Sequence, residues 1–355
     1  MENKDTLKAE ALSLLRKLIA TPSFSKEEEQ TAEIISDFLH SKNIIFSRKG
    51  NNVWASNRHF DAQLPTILLN SHHDTVKPNR GYTKDPFEPY MADGKLYGLG
   101  SNDAGGCLVS LIMAFVYFYE QKLPYNLILA ASAEEEISGK GGIESLFPEL
   151  PEIHLAIVGE PTLLQLAVAE KGLLVIDAEV KGKAGHAARE EGVNAIYEAL
   201  ADLNLIRNYR FKRTSDYLGE NKVTATIIQA GSQHNVVPDR CTYTLDVRVT
   251  DAYNLKEAFD ELDSVLQADL KPRSLRLNSS RIDPEHKILK VANRMGLTLF
   301  GSPTLSDQAL IPYPSVKIGP GDSARSHSPD EFIYLDEIEN GVAFYIDLLK
   351  AYFDL

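Results

Sequence analysis

The chain has 355 residues, 43% apolar and 25% charged, an ordinary balance for a globular protein of one large domain or two smaller ones. A formal net charge of −13 argues against a nucleic-acid groove, which needs clustered Lys and Arg. No apolar run reaches the roughly 18–20 residues of a membrane span, and the longest, CLVSLIMAFVYFY at 107–119, reads as a core helix.

In chain order, the first predicted element is a helix at about 5–19, where mixed charges follow a helical apolar period. This is not the pattern of a signal peptide, so a cytoplasmic location is the expectation. A second helix opens within TPSFSKEEEQTAEIISDFLHSKN, from a Ser/Thr-rich start and an acidic first turn. PTILLNS (65–71), YNLILAAS (125–132) and HLAIVGE (154–160) are apolar runs without alternation, as in strands covered on both faces. A helix after Asp103 lies between the first two, so this half reads as an α/β sheet domain.

From about 168 the texture changes. GLLVIDAEVKG (172–182), KVTATIIQAG (222–231) and CTYTLDVRVT (241–250) read as strands. In the last, Tyr243, Leu245, Val247 and Val249 share one face. Helical patterns at 192–207 and 254–268, and SLRLNS (274–279) as a fourth strand, complete a β-α-β-β-α-β order. After 280 come a helix at 285–295, a strand PSVKIG (314–319) and a closing helix at 335–353. The expectation is an α/β domain of residues 1–167 and 280–355 carrying a ferredoxin-like insert at 168–279. Cys107 and Cys241 both sit in apolar patterns and read as buried thiols.

The predicted strands of the first domain end in chemistry. TILLNS runs into His72, His73 and Asp74; NLILAAS into Glu134, Glu135 and Glu136; LAIVG into Glu160; and PSVKIG into a Gly/Pro loop that ends at His327. The carboxyl edge of an open α/β sheet is where ligands bind. Asp103, in GLGSNDAGG, precedes the long apolar helix, and taken alone it reads as a helix N-cap. Likewise a lone glutamate run reads as a solvated loop. G-L-G-S-N-D lacks the third glycine of a dinucleotide-binding turn. Convergence of His, Asp and Glu without Cys on one sheet edge suits a zinc-type site with nitrogen and oxygen ligands.

These elements resemble the co-catalytic dinuclear zinc deacylases and peptidases, the M20-type amidohydrolases. The resemblance spans essentially the whole chain: HHD at 72–74, YGLGSNDAGG at 97–106, the Glu135–Glu136 pair, VGEPT at 158–162 and SHSPDEF around His327. DPFEPYMADGKLYGLGSND, IVGEPT and HSPDEF look most like acetylornithine deacetylase.

The resemblance implies a zinc-aminopeptidase-like catalytic domain with an inserted ferredoxin-like dimerisation domain. It implies two zinc ions, with cobalt or manganese also compatible, His72 and Glu160 holding one, Glu136 and His327 the other, and Asp103 bridging both. Asp74 would orient the His72 imidazole and Glu135 would be the general base. His186, in KGKAGHAA, would stabilise the oxyanion across a homodimer interface. Asn235, Arg248 and the backbone of Gly321 would hold a substrate carboxylate. His73, His154 and His234 remain structural. The implied activity is hydrolysis of an N-acyl amino acid, foremost N-acetylornithine in arginine biosynthesis. Succinyl-diaminopimelate desuccinylase, N-acylcitrulline deacylase and a dipeptidase or carboxypeptidase are the alternatives. Ala104-Gly105 after the bridging Asp, and Ala188 where relatives have Ser, depart from the family pattern and bear on substrate geometry.

Overall fold

Apolar runs without alternation need cover on both sides, and the elements follow from that requirement. The computed structural model describes residues 3–355. In chain order it has helices α1 (Lys4–Ile19) and α2 (Glu29–Ser41), strands β1 (Asn52–Ser56) and β2 (Thr66–His72), helix α3 (Gly106–Phe118), and strands β3 (Asn126–Ser132) and β4 (Leu155–Val158). Then come β5 (Gly172–Lys181), α4 (Ala195–Asn208), β6 (Lys222–Ala230), β7 (Arg240–Val249), α5 (Leu255–Asp263) and β8 (Asp269–Pro272). Helix α6 (Lys287–Met295), β9 (Ser315–Lys317) and α7 (Leu335–Phe353) close the chain. Contacts divide it into two units, one running to Val168 and resuming at Arg281–Phe300 and Ser306–Leu355, the other comprising Ala169–Ser280 and Gly301–Leu305.

The first unit is built on a sheet that includes the order β1-β3-β2-β4-β9. Strands β3, β2, β4 and β9 run parallel, while β1 lies antiparallel on β3. Every residue of β2 and β3 is buried. Ile67 and Leu69 join the cluster formed with α1, α3 and α7, whereas Leu68 points into a second cluster with Ile143, Leu146 and Ile153. The shared direction of these strands delivers residues 72–74, 133–136 and 159–160 to one edge. β2 lies between β3 and β4, so the connections leave it on both sides, the switch point at which such sheets bind ligands. The stretch Ser101–Phe118 has the length and composition to cross a membrane, but 83% of it is buried in the protein, as in a core helix.

The second unit has a four-stranded antiparallel sheet in the order β6-β7-β5-β8. With the β-α-β-β-α-β connectivity, this is the ferredoxin-like arrangement. Tyr243, Leu245, Val247 and Val249 are buried with Leu174, Ile176 and Ala178 of β5 and with Ala199 of α4 and Leu262 of α5. Both cysteines are buried free thiols.

Three local expectations need correction. The fourth strand of the second unit is Asp269–Pro272, paired with Ile176–Glu179, and not 274–279. Pro272 ends it, and Leu275 is left exposed. Helix α5 stops at Asp263 and not at 268, because the Asp202 carboxylate takes the Gln267 and Ala268 N–H groups, each at 2.9 Å. Helix α2 has no Ser/Thr cap. Its N-cap is Glu28, whose buried carboxylate turns elsewhere, accepting from Lys26 N–H (2.6 Å), Glu134 N–H (3.1 Å) and Asn51 Nδ2 (2.7 Å).

Candidate metal centre

The loop after β3 explains how adjacent glutamates take different directions. Glu134 is left-handed at φ 57°, Glu135–Ile137 form a single 3-10 turn, and Ser138 is left-handed again. Backbone hydrogen bonds to buried carboxylates hold this conformation. Glu134 N–H donates to Glu28, Glu135 N–H to Asp74 Oδ1 at 3.0 Å, and Glu136 N–H to Asp74 Oδ2 at 3.1 Å. Gly139 and Gly141 wrap the Glu134 side chain so closely that a Cβ on either would collide with its carboxylate. Glu134 is therefore a fastening for the loop, and Glu135 and Glu136 are free to project from it.

Around His72 and His327 the carboxylates form two triads that share Asp103: His72, Asp103 and Glu160; and Asp103, Glu136 and His327. Within each, candidate ligand atoms lie within 4.8 Å of one another. Asp103 divides its oxygens, Oδ1 lying 3.3 Å from His72 Nε2 and Oδ2 3.6 Å from His327 Nε2. Glu160 Oε1 is 3.8 Å from His72 Nε2, and Glu136 Oε2 is 3.0 Å from His327 Nε2. Glu135 also reaches toward His72, Oε2 to Nε2 3.9 Å, and the set His72, Glu135 and Glu136 meets the same distance criterion. Distance alone thus does not separate a base from a ligand among these glutamates.

The electrostatics call for cations. Among the described residues, the ion-pair partners of Asp74, Asp103, Glu135 and Glu136 are the His72 and His327 imidazoles. Burial, with Glu160, Asp307 and Glu136 nearby, pushes Glu135 well above the usual carboxylate range. Burial and then Asp103 push Glu136 up as well. The Glu136 hydrogen bond raises His327 to about 9. His72 is fully buried, which opposes its charge, yet Glu135 and Asp103 outweigh this and hold it well above the ordinary value. Nitrogen and oxygen donors in excess negative charge, with two triads sharing one carboxylate, fit a pair of divalent cations. Cys107 is not among the donors. Its thiol donates to Pro320 O at 3.2 Å, and burial raises it far from ionisation.

One expected role changes. Asp103 is not a helix cap: its φ/ψ of −116°/97° are non-helical, and the N-cap of α3 is Gly105. Asp74 meets the His72 ring twice, Nδ1 lying 3.0 Å from its carbonyl O and 3.5 Å from its carboxylate Oδ1. The same carboxylate also holds the 135–136 turn and accepts from Ser25 Oγ–H at 2.7 Å. Gly321 is buried at φ 86°, where a Cβ would meet Asn102 Oδ1 at 2.5 Å; glycine there lets the 319–322 loop lie on the Asp103 loop. Asn102 ties the two together, accepting from Asp322 N–H at 3.0 Å and donating to its carbonyl at 3.1 Å. His73 is structural, one ring nitrogen 2.9 Å from Thr31 Oγ1 and the other 3.0 Å from Asn51 O.

The second unit holds His186, Asn235 and Arg248. Gly185–His186 pairs with Val236–Val237, and Ala187 N–H donates to Asn235 O at 3.0 Å, so His186 and Asn235 lie on neighbouring segments. Ala188 N–H donates to His186 Nδ1 at 3.1 Å, which leaves Nε2 as the proton-bearing nitrogen of the neutral ring. Arg248 is held by Asp246 through Nε (2.8 Å) and Nη2 (3.1 Å).

Sequence reasoning missed Glu28, Asp246, Asp307 and Glu331. Asp307 is buried, accepts from Asn70 Nδ2 (2.8 Å) and Ser132 Oγ (2.6 Å), and is pushed up to about 6 by burial. Glu331 is buried behind Asp103, and burial with the Asp103 charge raises it to about 8. Glu28, Asp307 and Glu331 lie outside the periodic runs, and Asp246 sits on the face of β7 opposite its buried Leu245 and Val247. The available signal was a place beside motif residues, as for Glu331 in HSPDEF.

The model of "Peptidase family M20/M25/M40" matches residues 68–351. Acetylornithine deacetylase of Proteus mirabilis (strain HI4320) is 29% identical, over 92% of this chain and 93% of its own length. Succinyl-diaminopimelate desuccinylase of Wolbachia pipientis wMel is 25% identical, over 98% and 94%. A crystal structure of a Bacillus subtilis protein described as a dinuclear metal-binding peptidase shares the fold with a TM-score of 0.74, at 18% identity and 99% coverage of both chains. The chain thus belongs to peptidase family M20/M25/M40 and is a metal-dependent hydrolase.

Proposed function

We propose that the protein hydrolyses an N-acyl amino acid to a carboxylate and a free amino acid, with N-acetylornithine as the leading substrate. The observation that carries this reading is the placement of Glu135 beside two candidate metal triads that share Asp103. The likeness to the Proteus deacetylase supports the choice of acyl group and amino acid. His72, Asp103 and Glu160 would hold one divalent cation, and Asp103, Glu136 and His327 the other, zinc being the first candidate. When bound, the pair supplies Lewis acidity and positive charge for the developing oxyanion.

Glu135 is the general base. It lies beside both triads without belonging to either that shares Asp103, the position from which a carboxylate takes a proton from the attacking water. The water oxygen bonds to the acyl carbon, the C–N bond breaks, and Glu135 returns the proton to the leaving amine nitrogen. His186 Nε2–H of a second subunit would be the donor for the oxyanion, and Asn235 and Arg248 are assigned to the α-carboxylate.

The second unit is assigned to dimerisation. Its edge strand β6 exposes Ile227 and Ile228, and α4 exposes Tyr197, Leu200 and Leu205. An unpaired apolar edge beside an apolar helix face favours addition of a second copy. The likeness to the Wolbachia desuccinylase favours a second reading, removal of a succinyl group from diaminopimelate. A panel of acetyl and succinyl derivatives of ornithine, citrulline and diaminopimelate, with a dipeptide set, decides among these. The highest kcat/KM on N-acetylornithine is expected, and a preference for dipeptides over every N-acyl amino acid would overturn the proposal.

A further inference from the structure

Glu331 is 1% exposed, and among the described residues no Lys, Arg or His lies within ion-pair distance of it. Burying a carboxylate without a cation costs several kcal/mol in an unrelieved setting. Its hydrogen bonds all come from the backbone of one loop. Gly100 N–H reaches Oε2 at 3.2 Å, and Asn102 and Asp103 N–H reach Oε1 at 2.8 and 2.9 Å. The Glu331 carbonyl also accepts Gly98 N–H at 3.0 Å. Convergent backbone N–H groups form a nest for an anion, and here the anion is a side chain of the same protein. The loop needs it, because Gly100 is left-handed at φ 75° and Asp103 is non-helical, so these donors lack regular partners.

The same loop carries Asp103, whose oxygens turn to different imidazoles. We propose that Glu331 is a positioning residue for the metal centre: it fixes the Gly100–Asp103 backbone so that Asp103 can serve two cations at once, without being a ligand itself. The inference rests on the dinuclear reading above. Glutamine offers one acceptor oxygen instead of two, so in either orientation its amide N–H₂ opposes at least one backbone N–H. Partners that orient metal ligands typically change metal affinity by about 10–100-fold when altered.

The test is a Co²⁺ titration of metal-free wild type and Glu331→Gln, followed by calorimetry and by the visible absorption of the bound cobalt, with the melting temperature of each metal-free protein. Wild type is expected to take up two Co²⁺. Glu331→Gln is expected to bind at least one about 10–100-fold more weakly, with an altered spectrum, in a metal-free protein that still melts as a folded chain. Unchanged affinities and spectrum overturn the proposal, as does a loss of metal-free stability with unchanged affinities. If Glu331→Gln does not fold, Glu331→Asp, which keeps the charge but withdraws it by a methylene, is read in the same titration, and wild-type affinities there overturn it. A wild type that binds no cobalt refutes the dinuclear reading itself, before any variant is compared.

Discussion

Replacing Glu135 and Glu136 separately by glutamine tests the division of labour that distance alone leaves open. Each change is isosteric and leaves the backbone N–H bonds to Asp74, at 3.0 and 3.1 Å, in place. Glu135→Gln removes the proton acceptor next to His72 but takes no member from either triad that shares Asp103. Positioned acid–base groups contribute about 10²–10⁴-fold. At about 1.4 kcal/mol per tenfold, the expected loss in kcat is equivalent to roughly 3–5 kcal/mol, with metal content unchanged. Glu136→Gln weakens the contact with His327 Nε2, now 3.0 Å, and takes a charge from one triad. Its metal affinity should fall by at least the roughly 10–100-fold seen when groups beyond the ligands are altered. Elemental analysis after gel filtration in metal-free buffer, paired with amine release from N-acetylornithine, reads both quantities. If Glu135→Gln loses metal, or Glu136→Gln keeps two ions at wild-type affinity, the assignment of base and ligand is wrong.

Arg248→Ala is expected to raise KM for N-acyl amino acids, and amidating the substrate α-carboxylate should cost wild type a similar factor; additive losses in the double change would show that the two groups do not meet. Mixing Glu135→Ala with His186→Ala under subunit exchange should restore activity toward about a quarter of wild type if His186 serves the partner's site, since half of the sites in a mixed dimer then carry neither defect; confirmed mixed dimers that stay inactive would refute this. In the metal-free protein, Glu136 raises His327 from 6.5 to about 9. The stability this contributes is fully present below pH 6.5 and lost as pH rises through about 9. The melting-temperature gap between wild type and His327→Gln should therefore be present below pH 6.5 for as long as Glu136, itself raised by burial, stays ionised, and close above about 9, and a gap that widens through that upper value contradicts the pairing.

Patterns that arise from burial were legible in the sequence. The unbroken apolar runs of β2 and β3 became buried parallel strands, and the alternation at 243–249 became the inner face of β7. Both follow from the period-two geometry of strands. His72, Glu136, Glu160 and His327 were visible because they follow such runs, and Asp103 because it precedes the long apolar helix. What stayed hidden acts through the main chain. Nothing in the order of residues says that Asp74 would bind the 135–136 amides with its carboxylate and His72 with its carbonyl. Nor does it say that Glu28 and Glu331 would hold loops far from them in sequence. The short strand Asp269–Pro272 was missed because alternating charges and a proline masked its inward face, where Leu270 packs on the core.

Under the proposed function, two metal ions sharing Asp103 make this chain a hydrolase of N-acyl amino acids. The most direct measurement is the hydrolysis of N-acetylornithine as metal-free protein is titrated with Zn²⁺, with bound metal counted at each point. Two ions bound per chain at saturation, activity that appears with them, and neither in Asp103→Ala are expected. A protein that binds no zinc, or an Asp103→Ala variant that binds two ions and turns over like wild type, would contradict it.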